Sequence, residues 1–189
     1  MCDVLKYSGL GWAGIKAIQG VLGKYRQPAG VTCELVGEFS DWTDDVWEKS
    51  KAHYSLIAIR SQQILNVLYP PSDSRFKRLK VMRDGKVVGW AVLLNTPMSG
   101  HKQFGDMQLG SLVDCLAKPD DAPDVVVCSR DFLAANGADL IVSNQASQAW
   151  GKALKRCGFL EGPSNFPFLA APKLAASWIP STKTPRPSI

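Results

Sequence analysis

One carboxylate lies inside an otherwise apolar stretch of the sequence. Asp114 stands beside Leu112, Val113 and Leu116 in a run that predicts a β-strand over Gln108–Leu116. A carboxylate half-buried by apolar neighbours is expected to have a raised pKa, which suits it to exchange protons near neutral pH. Asp114 is therefore the candidate for a catalytic general base. Two other interpretations stay open, namely that it faces solvent or that it pairs with an arginine.

The cysteines and histidines show no spacing that favours a metal site or a nucleophile. The five cysteines are odd in number, form no CxxC pair and have no histidine close in sequence, and His53 and His101 stand alone. Neither a disulfide framework nor a zinc site is predicted. A reducing compartment fits this pattern, so we expect a cytoplasmic location.

The composition is that of an ordinary globular chain. Of the 189 residues 46% are hydrophobic and 21% are charged, which fits one sizeable core and argues against wholesale disorder. No stretch approaches the ~20 apolar residues that a membrane span needs, so no membrane partner is predicted. The net charge is +5, and the only dense group of basic residues, called here the basic group, is Arg75, Lys77, Arg78, Lys80 and Arg83. A group of this size is more often a solvated face than a nucleic-acid site.

The first seventy residues predict three helices and one strand. Apolar residues recur at three- and four-residue steps over Leu10–Tyr25, which is typical of one helix face. An extended run follows at Val31–Phe39, and Ser40 or Asp41 can cap the next helix. Ser61 can cap another helix, which must end after Leu68 because two prolines follow.

The clearest local signal in the sequence is a β-hairpin over Leu79–Leu94. Two β-rich runs flank Asp84 and Gly85, a dipeptide suited to a tight turn with positive φ. The polar stretch Asn95–Gly105 predicts a loop. The strand that contains the candidate base follows this loop.

The last part of the chain alternates helices and strands. Asp124–Asn136 predicts a helix, and Ala138–Ser143 is a nearly all-apolar run, the pattern of a strand covered on both faces. Ser147 can cap a further amphipathic helix that ends at Gly158. Asn165–Ala171 could supply a final strand. The order of elements predicts an α/β fold of the α+β type with a mixed sheet.

This order resembles the second half of a GNAT acyltransferase domain, above all in the stretch SNQASQAWGKALKRCGF, Ser143–Phe159. In that family a strand leads into a helix that opens beside the cofactor and ends in a Y-x-x-x-G-F signature. The Gly-Phe end matches, whereas Leu154 stands where the family's tyrosine would be. Only Tyr69 or Cys157 could then approach the site in its place.

The resemblance also divides the chain. Residues 39–70 resemble a subgroup of bacterial GNAT-like proteins that contain two such halves, so this chain resembles their C-terminal half. It implies a GNAT-like acyl-CoA N-acyltransferase fold over residues 39–172, with helices on both faces of a central sheet. Residues 1–38 would form an N-terminal helix and strand that pack against this domain or serve as a linker. Residues 173–189 would form a flexible tail.

The resemblance implies acetyl-CoA or another acyl-CoA as co-substrate, and no metal. The pantetheine arm would lie in a gap between two splayed strands and bond to the backbone of Cys115, Leu116 and Ala117 as an added strand would. The diphosphate would lie at the N-terminus of the next helix, where the helix dipole favours negative charge. Lys118 is the adjacent cation, and Ser147 opens the other helix beside the cofactor.

The acceptor implied by the resemblance is an amine of a small molecule or a sugar. Its acylation requires removal of a proton from an ammonium group, and Asp114 would take that role. The substrate itself is not indicated by the sequence. A homodimer is a further open alternative.

The loop AKPDDAPD, residues 117–124, departs from the family pattern. It has no glycine, and Asp120, Asp121 and Asp124 would repel a diphosphate. Three functions therefore stay open: an acyl-CoA-dependent N-acyltransferase, a non-catalytic GNAT-like binding or dimerisation module, and an aminoacyl-tRNA-dependent relative that would use the basic group.

Overall fold

The computed structural model describes residues 25–101, 105–145 and 147–162. Predictions made for residues 10–24, 165–171 and 173–189 lie outside these ranges. The strands are β1 (Val31–Val36), β2 (Lys77–Arg83), β3 (Lys86–His101), β4 (Gly105–Ala117) and β5 (Leu140–Ser143). The α-helices are α1 (Asp41–Ser50), α2 (Gln62–Leu68), α3 (Ala122–Ala135) and α4 (Gln148–Arg156), with a 3-10 helix at Lys51–His53.

The five strands form one mixed sheet in the order β1-β2-β3-β4-β5. Neighbouring strands are antiparallel except β4 and β5, which are parallel. Because successive residues of a strand point to opposite faces, Trp90 and Val92 lie on one face and Ala91 and Leu93 on the other. The predicted α/β class with a mixed sheet is confirmed.

Helices cover both faces of the sheet, as predicted. The first face, called here the α1/α2 face, carries buried Phe39, Val46, Leu65, Trp90, Val92 and Leu116. The second, the α3/α4 face, carries the buried apolar residues of α3 and α4 together with those of the strands beneath them, among them Leu79, Val81, Ala91, Leu93, Leu112, Cys115 and Ala117.

The predicted β2–β3 hairpin is confirmed. Its turn residues Asp84 and Gly85 have φ angles of 51° and 74°, the left-handed conformation that this dipeptide tolerates. The amide of Asp84 donates to the carbonyl of Gly30 at 2.9 Å, which ties the turn to the start of β1.

The loop predicted at Asn95–Gly105 is wrong over most of its length. β3 runs on to His101 and β4 begins at Gly105, with Thr96 paired to Leu109 and Met98 to Met107. This extension stands away from the core, and most of its residues are exposed. A two-stranded ribbon that buries neither face needs no apolar alternation, so the sequence pattern did not reveal it.

The helix boundaries predicted from capping residues agree with the structure. Ser40, Ser61 and Ser147 each precede a helix, and Ser61 Oγ accepts from the amide of Ile64. Gly137 and Gly158 end the last two helices with φ angles of 80° and 90°.

The interpretation of Ala138–Ser143 as a strand covered on both faces is wrong for the part of the chain that the structure describes. β5 contains only Leu140–Ser143, and each of its four residues is partly exposed. Ile141 packs against the α3/α4 face. The apolar run thus reflects burial of one face next to α3.

Gly89 generates a stability prediction, because α3 crosses β3 closely there. A Cβ at this position would lie 2.6 Å from Val125 Cγ2 and 2.7 Å from the carbonyl oxygen of Leu116. Gly89→Ala should lower the free energy of unfolding by about 1–3 kcal/mol, the usual cost of overpacking, in denaturant titrations.

Gly151→Ala is the matched control, since nothing lies within 4 Å of a Cβ at that position. Gly151 is inside α4, where alanine is favoured over glycine by ~1 kcal/mol, so this variant should keep or gain stability. A Gly89→Ala variant as stable as the parent would contradict the close packing of α3 on β3.

Candidate active site

β4 extends beyond β5, with which it pairs at four positions. Their register runs from Leu109 opposite Leu140 to Leu112 opposite Ser143. β4 then continues to Ala117, whereas the chain leaves β5 towards α4. Residues 113–117 therefore have no strand partner on the side away from β3 among the described residues.

A β-bulge lies in β4 where its pairing with β5 ends. The β3–β4 register shifts so that Val92 pairs with Asp114 and Leu93 with Leu112, which leaves Val113 without a partner on β3. Bulges bend a strand and increase its twist locally. The bulge at Val113 thus directly follows Leu112, the last residue of β4 that pairs with β5.

Asp114, the candidate base, is buried and accepts three hydrogen bonds. Its Oδ2 accepts from Arg60 Nε at 2.8 Å and from the Tyr69 hydroxyl at 2.9 Å, and its Oδ1 accepts from the amide of Cys115 at 2.9 Å. The open alternative that it pairs with an arginine is the arrangement observed. The purely apolar environment expected from its sequence neighbours is wrong, because Arg60 and Tyr69 arrive from the segments that flank α2.

Tyr69 reaches this carboxylate from the end of α2. Burial, and then the negative charge of Asp114, raise the pKa of its hydroxyl well above the ordinary value, so it remains a neutral donor. Cys157, the other residue considered as a replacement for the family tyrosine, does not reach Asp114. Its thiol is buried beside the carbonyl of Pro123, between α3 and α4.

Tyr54, which follows the 3-10 helix, is a site residue that sequence patterns did not single out. Its hydroxyl donates to the carbonyl of Ala117 at 2.6 Å. Burial raises the pKa of Tyr54 to about 12, and a hydrogen bond with Trp150 of α4 opposes this rise in part. Tyr54 therefore joins the end of β4 to α4.

The predicted cofactor strand residues lie along the separated part of β4. Cys115 and Ala117 belong to the α3/α4 face, and Leu116 belongs to the α1/α2 face. The amide of Cys115 and the carbonyl of Ala117 already have side-chain partners, Asp114 and Tyr54. Sequence could place these residues on one strand, but it could not show that their backbone groups are engaged.

The acids of the loop before α3 are mostly neutralised by one arginine. Arg83 of β2 bonds Asp121 at 2.6 Å through Nη1, and Asp124 at 2.9 Å through Nε and again through Nη2. Tyr25 also donates to Asp124, which is fully buried. The expectation that all three acids would repel a diphosphate is wrong for these two, and Asp120 alone is exposed.

A groove of about 380 Å³ lies between this loop and α4. Its lining contains Pro119, Asp120 and Pro123 on one side and Gln148, Ala149, Lys152, Ala153 and Arg156 on the other. Lys118 and Ser147 precede the two walls in sequence. Lys118 is exposed and its carbonyl accepts from two amides of the turn, whereas the side chain of Ser147 makes no capping hydrogen bond.

Two cations other than Lys118 line the groove. Lys152 is exposed on its wall, and Arg156 lies over the ring of Tyr25 at 4.4 Å. Their four-residue spacing on one helix was the available signal, since residues four apart share a face.

Each member of the basic group has a partner within the chain. Arg75 pairs with Asp73, Lys77 donates to the carbonyl of Ser74, and Lys80 pairs with Glu34. Arg78 is buried and donates to main-chain carbonyls, and Arg83 holds the acids before α3. These side chains do not form one free basic surface.

None of the helices in the described ranges is long and apolar enough to cross a bilayer. Nor does that part of the chain bring three His, Cys, Asp or Glu side chains together in a group that could hold a metal ion.

Comparison with solved structures identifies the fold. A GNAT family acetyltransferase of Staphylococcus aureus subsp. aureus USA300_TCH1516 is similar with a TM-score of 0.51 and 10% identity, over 75% of this chain and 99% of that one. A transcriptional regulator from Bacillus halodurans C-125 also has a TM-score of 0.51 and 10% identity, over 74% and 99%. No family model and no curated protein matches the sequence. The chain has the GNAT acetyltransferase fold, as the resemblance implied.

The arginine that holds the acids before α3 generates a prediction. Arg83→Met would leave the buried carboxylate of Asp124 without its cation, and we expect a loss of about 2–3 kcal/mol in the free energy of unfolding. This is less than for a fully buried pair, because 37% of the Arg83 side chain is exposed. Denaturant titration measures the change.

Arg75→Met is the matched control, because Arg75 pairs with Asp73 at the surface and such pairs contribute little. This variant should unfold at the same denaturant concentration as the parent. Equal effects of the two substitutions would contradict the assigned role of Arg83.

Proposed function

We propose that this chain is an acyl-CoA-dependent N-acyltransferase that acts on an amine of a small molecule or sugar. The observation that carries the proposal is the length of β4, which continues five residues beyond its last pairing with β5. An extended chain with amide groups can bond to such an edge as an added strand does, and pantetheine has this chemistry. Cys115, Leu116 and Ala117 are the residues proposed to receive it.

The groove between α3 and α4 is the proposed site for the diphosphate of CoA. The amides of Asp121, Ala122 and Asp124 are already bonded to carbonyls of the turn, so the phosphate charge must be met mainly by side chains. Lys152 and Arg156 provide that charge from α4, and Lys118 adds a third cation nearby. The dipole of α3 acts in the same direction.

Asp114 is proposed as the general base. The acceptor ammonium would give a proton to its carboxylate, and the free amine would attack the thioester carbonyl carbon. As the C–S bond breaks, the nitrogen loses its second proton to water, and the thiolate of CoA takes the proton held by Asp114. Tyr69, whose hydroxyl is 2.9 Å from Asp114, is the phenol placed to pass that proton on.

A non-catalytic GNAT-like module is the second candidate function. Tyr54 favours it, because its hydroxyl already donates to the carbonyl of Ala117. Leu154 also favours it, because this buried residue stands at the position of the family tyrosine. The aminoacyl-tRNA alternative has less support, because the side chains of the basic group are engaged within the chain.

Calorimetry and a thiol-release assay test the main proposal. We expect acetyl-CoA or a longer acyl-CoA to bind, and Asp114→Asn to lower kcat by about 100-fold or more, the usual contribution of a general base. Asp45→Asn, at an exposed carboxylate of α1 that does not line the groove, should leave kcat unchanged.

Two results would contradict the proposal at different levels. Absence of binding to every acyl-CoA at millimolar concentration would remove the acyltransferase function. Turnover that survives in Asp114→Asn would retain the function but reject Asp114 as the base. Binding without turnover on any amine would favour the non-catalytic module.

A separate prediction concerns the groove. Lys152→Gln should weaken the binding of CoA about fivefold, roughly 1 kcal/mol for one exposed charge, and should leave the binding of pantetheine unchanged. Lys155→Gln is the control on the same helix, since Lys155 pairs with Glu161 and does not line the groove. Equal loss of affinity for CoA and pantetheine would place the phosphate elsewhere.

A further inference from the structure

Tyr54 occupies an unusual position with respect to the sheet. Its side chain packs against buried residues of both the α1/α2 face and the α3/α4 face. A side chain can contact both faces of a sheet only by passing an edge. The edge of β4 beyond Leu112 and Ser143, where β5 has ended, is the one at which its hydrogen-bond partner Ala117 lies.

The contacts of Tyr54 come from the end of β4 and from α4. Ala117 is the last residue of β4, and its carbonyl accepts from the phenol. Trp150, on α4, is buried and lies beside the same hydroxyl. The phenol therefore lies between the end of β4 and Trp150 of α4, and this space is called here the gap.

We propose that Tyr54 controls access of the acyl carrier to this gap, an inference that rests on the proposed function. The pantetheine arm and the Tyr54 side chain compete for one opening and for one acceptor, the carbonyl of Ala117. Binding of an acyl-CoA requires the phenol to leave and a pantetheine amide to donate in its place. Apparent affinity is then reduced by the fraction of molecules in which the gap is open.

The segment that carries Tyr54 is suited to such a displacement. Residues 54–61 form no helix or strand between the 3-10 helix and α2. Leu56 and Ile59 within it are 51% and 61% exposed, whereas Ile57 packs on the α1/α2 face, so only part of the segment's apolar surface holds it in place. On leaving, the phenol of Tyr54 exchanges its hydrogen bonds with Ala117 and Trp150 for hydrogen bonds with water.

Substitution of Tyr54 tests the inference by calorimetry with acetyl-CoA and with pantetheine. Tyr54→Ala should bind both at least tenfold more tightly than the parent. Tyr54→Phe, which keeps the ring and loses only the hydroxyl and its hydrogen bonds, should bind about two- to fivefold more tightly. His53→Ala removes an exposed neighbouring ring and should leave both affinities unchanged.

Folding of each variant is checked by denaturant titration, because removal of a half-buried ring leaves a cavity. If Tyr54→Ala does not fold, Tyr54→Leu decides, since it retains apolar packing but is shorter and has no hydroxyl. Tighter binding of acetyl-CoA by Tyr54→Leu than by the parent would support the control of access by Tyr54.

The outcomes separate this inference from the proposed function. If the parent binds acyl-CoA and the Ala or Leu variant binds equally or more weakly, the control by Tyr54 is overturned and the proposed function stands. If the variants bind and the parent does not, Tyr54 closes the gap and the parent is not an acyl-CoA enzyme in this state. If none binds, both proposals fail.

Discussion

Main-chain groups at the end of β4 have to find partners, because backbone amides and carbonyls are costly to leave unbonded away from water. β4 has 13 residues and β5 only four, so a neighbouring strand cannot meet this need along the whole edge. Side chains meet part of it instead. Asp114 accepts from the amide of Cys115, and Tyr54 donates to the carbonyl of Ala117.

The charges around α3 are balanced by a residue that is distant in sequence. Arg83, on the second strand, holds two carboxylates that lie about forty positions further along the chain. This pairing removes most of the negative charge from the loop before α3. The cations that line the adjacent groove, Lys152 and Arg156, belong to a different helix.

Local rules were sufficient to predict most of the fold. Asp84 and Gly85 at the hairpin turn, and Gly137 and Gly158 at helix ends, are constrained by backbone conformation, which neighbours in sequence determine. The ribbon beyond Asn95 was missed because it buries neither face and so imposes no apolar period on its residues.

The candidate site was predicted less completely, since its contacts join distant parts of the chain. The burial of Asp114 followed from its apolar strand neighbours, but its partners Arg60 and Tyr69 lie 54 and 45 positions away. No periodicity relates such residues. Tyr54, 63 positions from Ala117, had no local signal that distinguished it from any other partly buried tyrosine.

The short connector before α2 ties two parts of the molecule to one piece of backbone. Tyr54 stands at its beginning, against the edge of β4, and Arg60 stands near its end, against the carboxylate of Asp114. Only five residues lie between them, so a large backbone shift at one end would also move the other. Withdrawal of the Tyr54 phenol would thus also pull on the Arg60 guanidinium. Entry of the acyl donor and release of the Asp114 carboxylate from Arg60 would then be mechanically linked.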